Sequence, residues 1–191
     1  MAKKSAGKKT VAKKSAIKKS ADWDFKWPQE RDVILRPERL RYVRKMIHFE
    51  GCVFCQARDQ GTNPDSLCVY QNKTAMAVLN KFPYNTGHIM VLPTRHCADL
   101  TELTDQEHQD VQKLLKQVVQ IIKTEYGVDG LNIGLNMGKV AGAGLPDHLH
   151  WHVIPRWAGD TNFFPLIAET KVVPENLGQT YSRYAKHFGT L

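Results

Sequence analysis

The sequence predicts an α+β protein built on a mainly antiparallel sheet. Two observations carry that expectation. Several short apolar runs are bounded by turn residues, as strands are. One long amphipathic stretch stands alone between two groups of them. A third feature, "DHLHWHVIPRW" over residues 147–157, puts histidines at every second position and points to where the chemistry lies.

The elements follow in chain order. Pro37 opens a helical spacing of Leu40, Val43 and Ile47 that Gly51 would stop, so a helix is expected over 37–51. Cys52 and Cys55 come next, then a polar loop over 58–66. Residues 67–71 and 74–80 read as strands, and the short polar pair Asn72-Lys73 between them predicts a hairpin. Residues 81–87 read as a loop and 88–93 as a third strand. Over 103–127 the periodicity turns helical. Val111, Leu114, Leu115, Val118, Ile121 and Ile122 form one stripe, Thr104 with Glu107 makes a capping-box pattern, and Gly127 closes the helix. Residues 130–136 read as a strand interrupted by glycine, and the Gly-rich stretch 137–147 leads into the histidines.

Charge is unevenly spread. The 191 residues carry 27 basic and 19 acidic side chains, a net charge of +8. Eight lysines and no acid fall within residues 1–20, in pairs repeating every five residues. The 27 basic residues less these eight leave 19 against 19 acids, so the rest of the chain is formally neutral. Residues 1–21 are expected to be a disordered Lys-rich tail and 22–191 one domain. The tail is either a solubilising arm or a weak, non-specific binder of nucleic acid. No apolar segment follows the tail's charges as in a secretory signal, and no run of 18 apolar residues occurs. A cytoplasmic protein with reduced cysteines, off the membrane, is therefore expected. In that setting a Cys-x-x-Cys pair suggests metal or redox chemistry.

On a strand, His148, His150 and His152 share one face, while Leu149, Trp151 and Val153 turn to a core. The outer two Cα atoms would stand roughly 13 Å apart at strand rise. One metal ion with bonds of about 2 Å would not take all three, so a division of labour is expected. Gly138, Gly142 and Gly144 let backbone approach a ligand, and their N–H groups suit phosphate oxygens. A neutral imidazole beside a phosphate cradle suits nucleophilic phosphoryl chemistry. The plainer reading is three histidines lining a polar sheet face.

"HLHWHVI" at 148–154 resembles the signature of the histidine-triad (HIT) superfamily. The stretches 80–96 and 134–163 look specifically like its diadenosine tetraphosphate phosphorylase, or ATP adenylyltransferase-like, branch. The resemblance runs over about residues 50–165. It implies a HIT-like fold with a five-stranded mainly antiparallel sheet, one long and one shorter helix, and a homodimer. It implies a nucleotidyltransferase or hydrolase that cleaves adenosine-containing phosphate anhydrides, such as dinucleoside polyphosphates, with inorganic phosphate favoured over water as acceptor. His150 would be the nucleophile that carries the adenylyl group. His152 would contact the phosphate and help the leaving group, and His148 would orient the site or bind metal. Asn80 would meet the nucleoside, and Asn136 with Gly142, Ala143 and Gly144 the phosphates. Relatives with such a cysteine pair imply a structural zinc on Cys52, Cys55, His96 and His148. Many relatives carry a hydroxyl residue where this chain has Ala143-Gly144, which leaves backbone N–H groups, with Lys139, for the phosphate. A phosphoramidase-like hydrolase and a non-catalytic nucleotide sensor are the alternative functions. His88 and His108 have no comparable context in the sequence.

Overall fold

The computed structural model describes residues 51–160 and 175–189. The Lys-rich tail, the helix expected over 37–51 except its last residue, and the last residues of the 134–163 stretch lie outside that range.

Five strands make one sheet: β1 (Cys68–Gln71), β2 (Ala75–Leu79), β3 (Ile89–Pro93), β4 (Gly130–Leu135) and β5 (Trp151–Arg156). Their order is β1-β2-β3-β5-β4, and every neighbouring pair is antiparallel. The tight connection between β1 and β2 is held by Asn72, whose Oδ1 accepts from the N–H groups of Thr74 and Ala75. The inner strands β2 and β3 are buried along their whole length. Their unbroken apolar runs reflect cover on both faces.

Helix α1 (Val53–Gln60) covers one face, α2 (Asp105–Tyr126) and α3 (Leu177–Phe188) the other. On the α2 side, Ala75, Ala77, Leu79, Ile89, Val91, Leu149, Trp151 and Val153 pack with Val111, Leu114, Val118 and Ile122. Trp151, a bulky residue between two histidines, fits because its ring lies in this larger core. On the α1 side, Phe54 and Ala57 pack with Cys68, Met76, Val78, Met90 and Leu92. Strand alternation therefore turns the histidines toward α1 and leaves Leu149, Trp151 and Val153 to α2.

Helix α2 starts as its sequence dictates. The Thr104 side chain accepts from the Glu107 N–H, and Glu107 reaches back to the Thr104 N–H. Such a cap contributes about 1 kcal/mol. Gly127 ends the helix in the left-handed region, at φ 52°. Among the described residues, no helix is long and apolar enough to cross a membrane.

Three differences from the sequence reading have physical causes. The polar stretch expected to loop from residue 58 stays helical to Gln60, because Arg58, Asp59 and Gln60 are the solvent side of a helix that buries Phe54 and Ala57. Helix α3 brings the described α-helices to three. Its capping box pairs Asn176 with Gln179, and it buries Thr180, Tyr184 and Phe188. Regular pairing of the histidine strand begins only at Trp151, so His148, in a bend, and His150 both precede it.

Candidate active site and metal cluster

The three histidines have different hydrogen-bond partners, and these decide which ring nitrogen is free on each. A carbonyl only accepts, and a backbone N–H only donates. His150 Nδ1 lies 2.7 Å from the His148 carbonyl, so Nδ1 carries the hydrogen and Nε2 keeps its lone pair. The ring is buried, and burial pushes its pKa below the usual histidine range. A neutral imidazole with a bare Nε2 results.

His152 is set by His88, for which the sequence alone offers no context. The Tyr84 N–H donates to His88 Nδ1 over 3.1 Å, so the His88 hydrogen sits on Nε2. That Nε2 lies 3.0 Å from His152 Nδ1 and donates to it. The remaining hydrogen of a neutral His152 is then on Nε2. Burial, with His150 adding to it, holds His152 down to about 4, so the ring is neutral near pH 7. The two rings stand 4.9 Å apart between centroids, one with a lone pair on Nε2 and one with an N–H there.

His88 is 1% exposed and sits just ahead of β3, 64 residues from its partner. The preceding glycine has φ 74°, and a Cβ there would stand 3.1 Å from the Tyr126 ring. Gly87 is therefore required both by conformation and by space. The Tyr184 hydroxyl, from α3, donates to the Gly87 carbonyl over 2.7 Å. Asn85 in the same loop donates to the Pro155 carbonyl and to Asp160, which also accepts from Arg156. The "PRW-x-GD" residues after the triad thus tie down the loop that carries His88.

His148 faces away from this pair. Its Nε2–H donates to the Pro93 carbonyl over 3.0 Å, which leaves the Nδ1 lone pair to the other side. There it meets Cys52 Sγ at 3.3 Å, Cys55 Sγ at 3.8 Å and His96 Nδ1 at 3.3 Å. Cys55 Sγ lies 3.4 Å from His96 Nδ1. The four ligand atoms all fall within 4.8 Å of one another and could hold a metal ion. A tetrahedron with ordinary zinc–sulfur and zinc–nitrogen bonds has edges of roughly 3.3–3.8 Å, the range of the four separations just given, so the donor set fits zinc. His96 is placed by its neighbour. Arg95 makes a two-point ion pair with Glu107 at 2.8 and 2.9 Å, and this holds the Glu107 carboxyl down to about 2.

His150 and His152 open onto a cavity of about 350 Å³, within the range of ligand pockets. Its apolar wall comes from Val53, Phe54 and Ala57 of α1 with Leu67, Val78 and Met90. Asn80, Gly142 and Gly144 also line it, whereas Asn136, Ala143 and Lys139 are not among the lining residues. Within the Gly-rich turn, the Gly142 N–H donates to the Lys139 carbonyl and the Ala143 N–H to the Gly138 carbonyl. Asn80 uses its side-chain oxygen to accept from the Phe82 N–H. His108 lies on α2, outside the cavity lining and the metal cluster.

Known proteins share this frame. The HIT domain family matches residues 61–159. An AP-4-A phosphorylase of Mycobacterium tuberculosis is 42% identical over 121 residues, spanning 63% of this chain and 62% of that protein. A bis(5'-adenosyl)-triphosphatase of Saccharomyces cerevisiae is 37% identical over 89 residues, 46% of this chain and 43% of that protein. Among solved structures, a hypothetical histidine triad nucleotide-binding protein of Sulfolobus tokodaii superposes with a TM-score of 0.59 at 27% identity, covering 73% of this chain and 93% of that one.

Proposed function

The chain belongs to the HIT domain family, and we propose that it is an enzyme that transfers or hydrolyses the adenylyl group of dinucleoside polyphosphates. The observation that carries this reading is the bare Nε2 of buried, neutral His150 at a cavity it shares with the His152 Nε2–H. The names of the two relatives support the substrate class.

In this reading the apolar wall around Phe54 and Ala57 takes one nucleoside. The His150 lone pair attacks the α-phosphorus, and the bond from that phosphorus to the bridging oxygen breaks. The departing nucleotide leaves as an anion, its new charge met by the His152 N–H. Positive charge gathers on His150 as the adenylyl-histidine forms. Its Nδ1–H already points at the His148 carbonyl, which steadies that charge. An acceptor oxygen then attacks the same phosphorus, and the nitrogen–phosphorus bond breaks. Inorganic phosphate as acceptor would yield ADP and water would yield AMP. Phosphorolysis is favoured by the relative with the higher identity.

Zinc held by Cys52, Cys55, His96 and His148 would act structurally, fixing His148 and the start of α1. Residues 22–191 would form one catalytic domain, and the Lys-rich tail would add only weak attraction to nucleic acid. A homodimer is supported by β4, an outer strand on which Ile133 is 46% exposed.

The reading is tested by incubating the purified chain with diadenosine tetraphosphate, with and without inorganic phosphate, and identifying the products. ADP and ATP formed only with phosphate support phosphorolysis. AMP and ATP in either case make the chain a hydrolase. No cleavage at all refutes the assignment.

The relay through His88 has its own consequence. His88→Phe keeps most of the volume but removes the donor that fixes the His152 hydrogen. Turnover should fall roughly 100-fold with little change in KM. His88→Gln, which retains a donor, should recover part of the loss. Steady-state kinetics on both variants decides it, and an unchanged kcat in His88→Phe would remove His88 from the site.

A further inference from the structure

Two aromatic rings bracket the reacting imidazoles. Phe54 of α1 lies 5.0 Å from the His150 ring, His150 lies 4.9 Å from His152, and Tyr84 lies 6.0 Å from His152, all between centroids. Phe54 also touches His148, and Tyr84 also touches His88, so the two rings belong to opposite ends of the histidine row. Both line the same cavity. They differ in exposure. Phe54 is 2% exposed, part of the wall of a slot, whereas Tyr84 is 41% exposed.

Tyr84 does two separable things. Its backbone N–H fixes His88, a role any residue but proline could fill. Its ring lies nearly parallel to His88, at 5.0 Å and 20° between planes, with part of its surface left open to solvent. A large aromatic ring that stacks on His88 and is 41% exposed beside His152 is a ready platform for a flat ligand group. The Asn85 bonds to Pro155 and Asp160 hold the loop that presents it.

We propose that Tyr84 stacks the base of the departing nucleotide, so that the site recognises both ends of a two-base substrate. This rests on the reading above, in which His150 attacks the α-phosphorus of the nucleotide held by the Phe54 slot. The phosphate bridge then runs past His152, and the second base arrives at Tyr84. The ring gives stacking without hydrogen-bond readout, so it favours a second base of any identity over none.

The test compares two ligands that share a phosphate chain but not a second base: diadenosine tetraphosphate and adenosine 5'-tetraphosphate. Dissociation constants are measured by calorimetry in the His150→Ala background, where the ligands persist. The two-base ligand should bind about tenfold more tightly. Adding Tyr84→Ala should erase that advantage, so that the two ligands bind alike, and Tyr84→Phe should preserve it. The ratio of kcat/KM for the two ligands, in chains that keep His150, should move the same way. That second measurement covers misfolding of a double variant. If Tyr84→Ala weakens both ligands alike, or neither, the platform is refuted and the ring merely covers His88. If neither nucleotide binds with His150 and Tyr84 both intact, the functional reading itself falls and the platform with it.

Discussion

Replacing His150 with alanine should lower turnover of diadenosine tetraphosphate by roughly 10⁴-fold or more, as removal of a covalent nucleophile does. Binding should survive, because most of the cavity wall is built by α1 and the strands rather than by this ring. His150→Asn offers no lone pair on a ring nitrogen and should be equally inactive. The fold should tolerate the change, since Leu149 and Trp151 anchor this segment from the opposite face. Circular dichroism and a calorimetric titration, beside the kinetics, separate loss of chemistry from loss of structure. Substantial turnover in either variant would move the nucleophile elsewhere.

The pH dependence should carry the same signature. His152 is neutral down to about 4 because it is buried, with His150 beside it and His88 and Tyr84 packed on its other side. Its folded pKa lies below the unfolded value of about 6.5. The free energy it contributes as a neutral ring is thus complete above pH 6.5 and is lost as pH falls toward 4. The acid limb of kcat should accordingly lie below pH 6.5.

The second large effect concerns the metal cluster. The purified chain should contain one zinc ion, and the double change Cys52→Ser, Cys55→Ser should abolish it. Those cysteines sit at the start of α1, which supplies Phe54 and Ala57 to one core and to the cavity wall. Loss of the ion should therefore cost several kcal/mol, or roughly 10 °C in Tm for a chain of this size. KM should also rise as the cavity wall loosens. Because thiolates must shed protons to bind, zinc should leave as the solution is acidified. Metal analysis, a thermal melt and kinetics on the two proteins check each part. Zinc retained by the double variant would show that other residues hold it.

Much of this was legible from periodicity. Alternation around Leu149, Trp151 and Val153 turned the histidines to one side, and the Val111–Ile122 stripe with its Thr104 cap set the long helix. What escaped had weak or distant signals. Helix α1 has eight residues, no side-chain cap on Cys52 and only two buried positions, so its charged half read as loop. Helix α3 did carry a signal, an Asn176–Gln179 box ahead of buried Thr180, Tyr184 and Phe188 at a four-residue spacing. His88 gave none locally, because its meaning comes from His152, 64 residues away across a β3–β5 pairing. The Gly-rich loop shows the limit of composition. Its glycines permit the turn, but two of the N–H groups expected for phosphate are bonded within it.

The central claim is that His150 Nε2 becomes bonded to phosphorus. The direct measurement is to mix the chain with diadenosine tetraphosphate without acceptor, quench within one turnover under alkaline conditions that spare a phosphorus–nitrogen bond, and map the peptides by mass spectrometry. The account predicts one adenylyl group on the peptide spanning residues 147–157, located at His150 and discharged when phosphate or water is allowed to react. An adenylyl group on another residue, or turnover with no adenylated enzyme in single-turnover quenches, would contradict it.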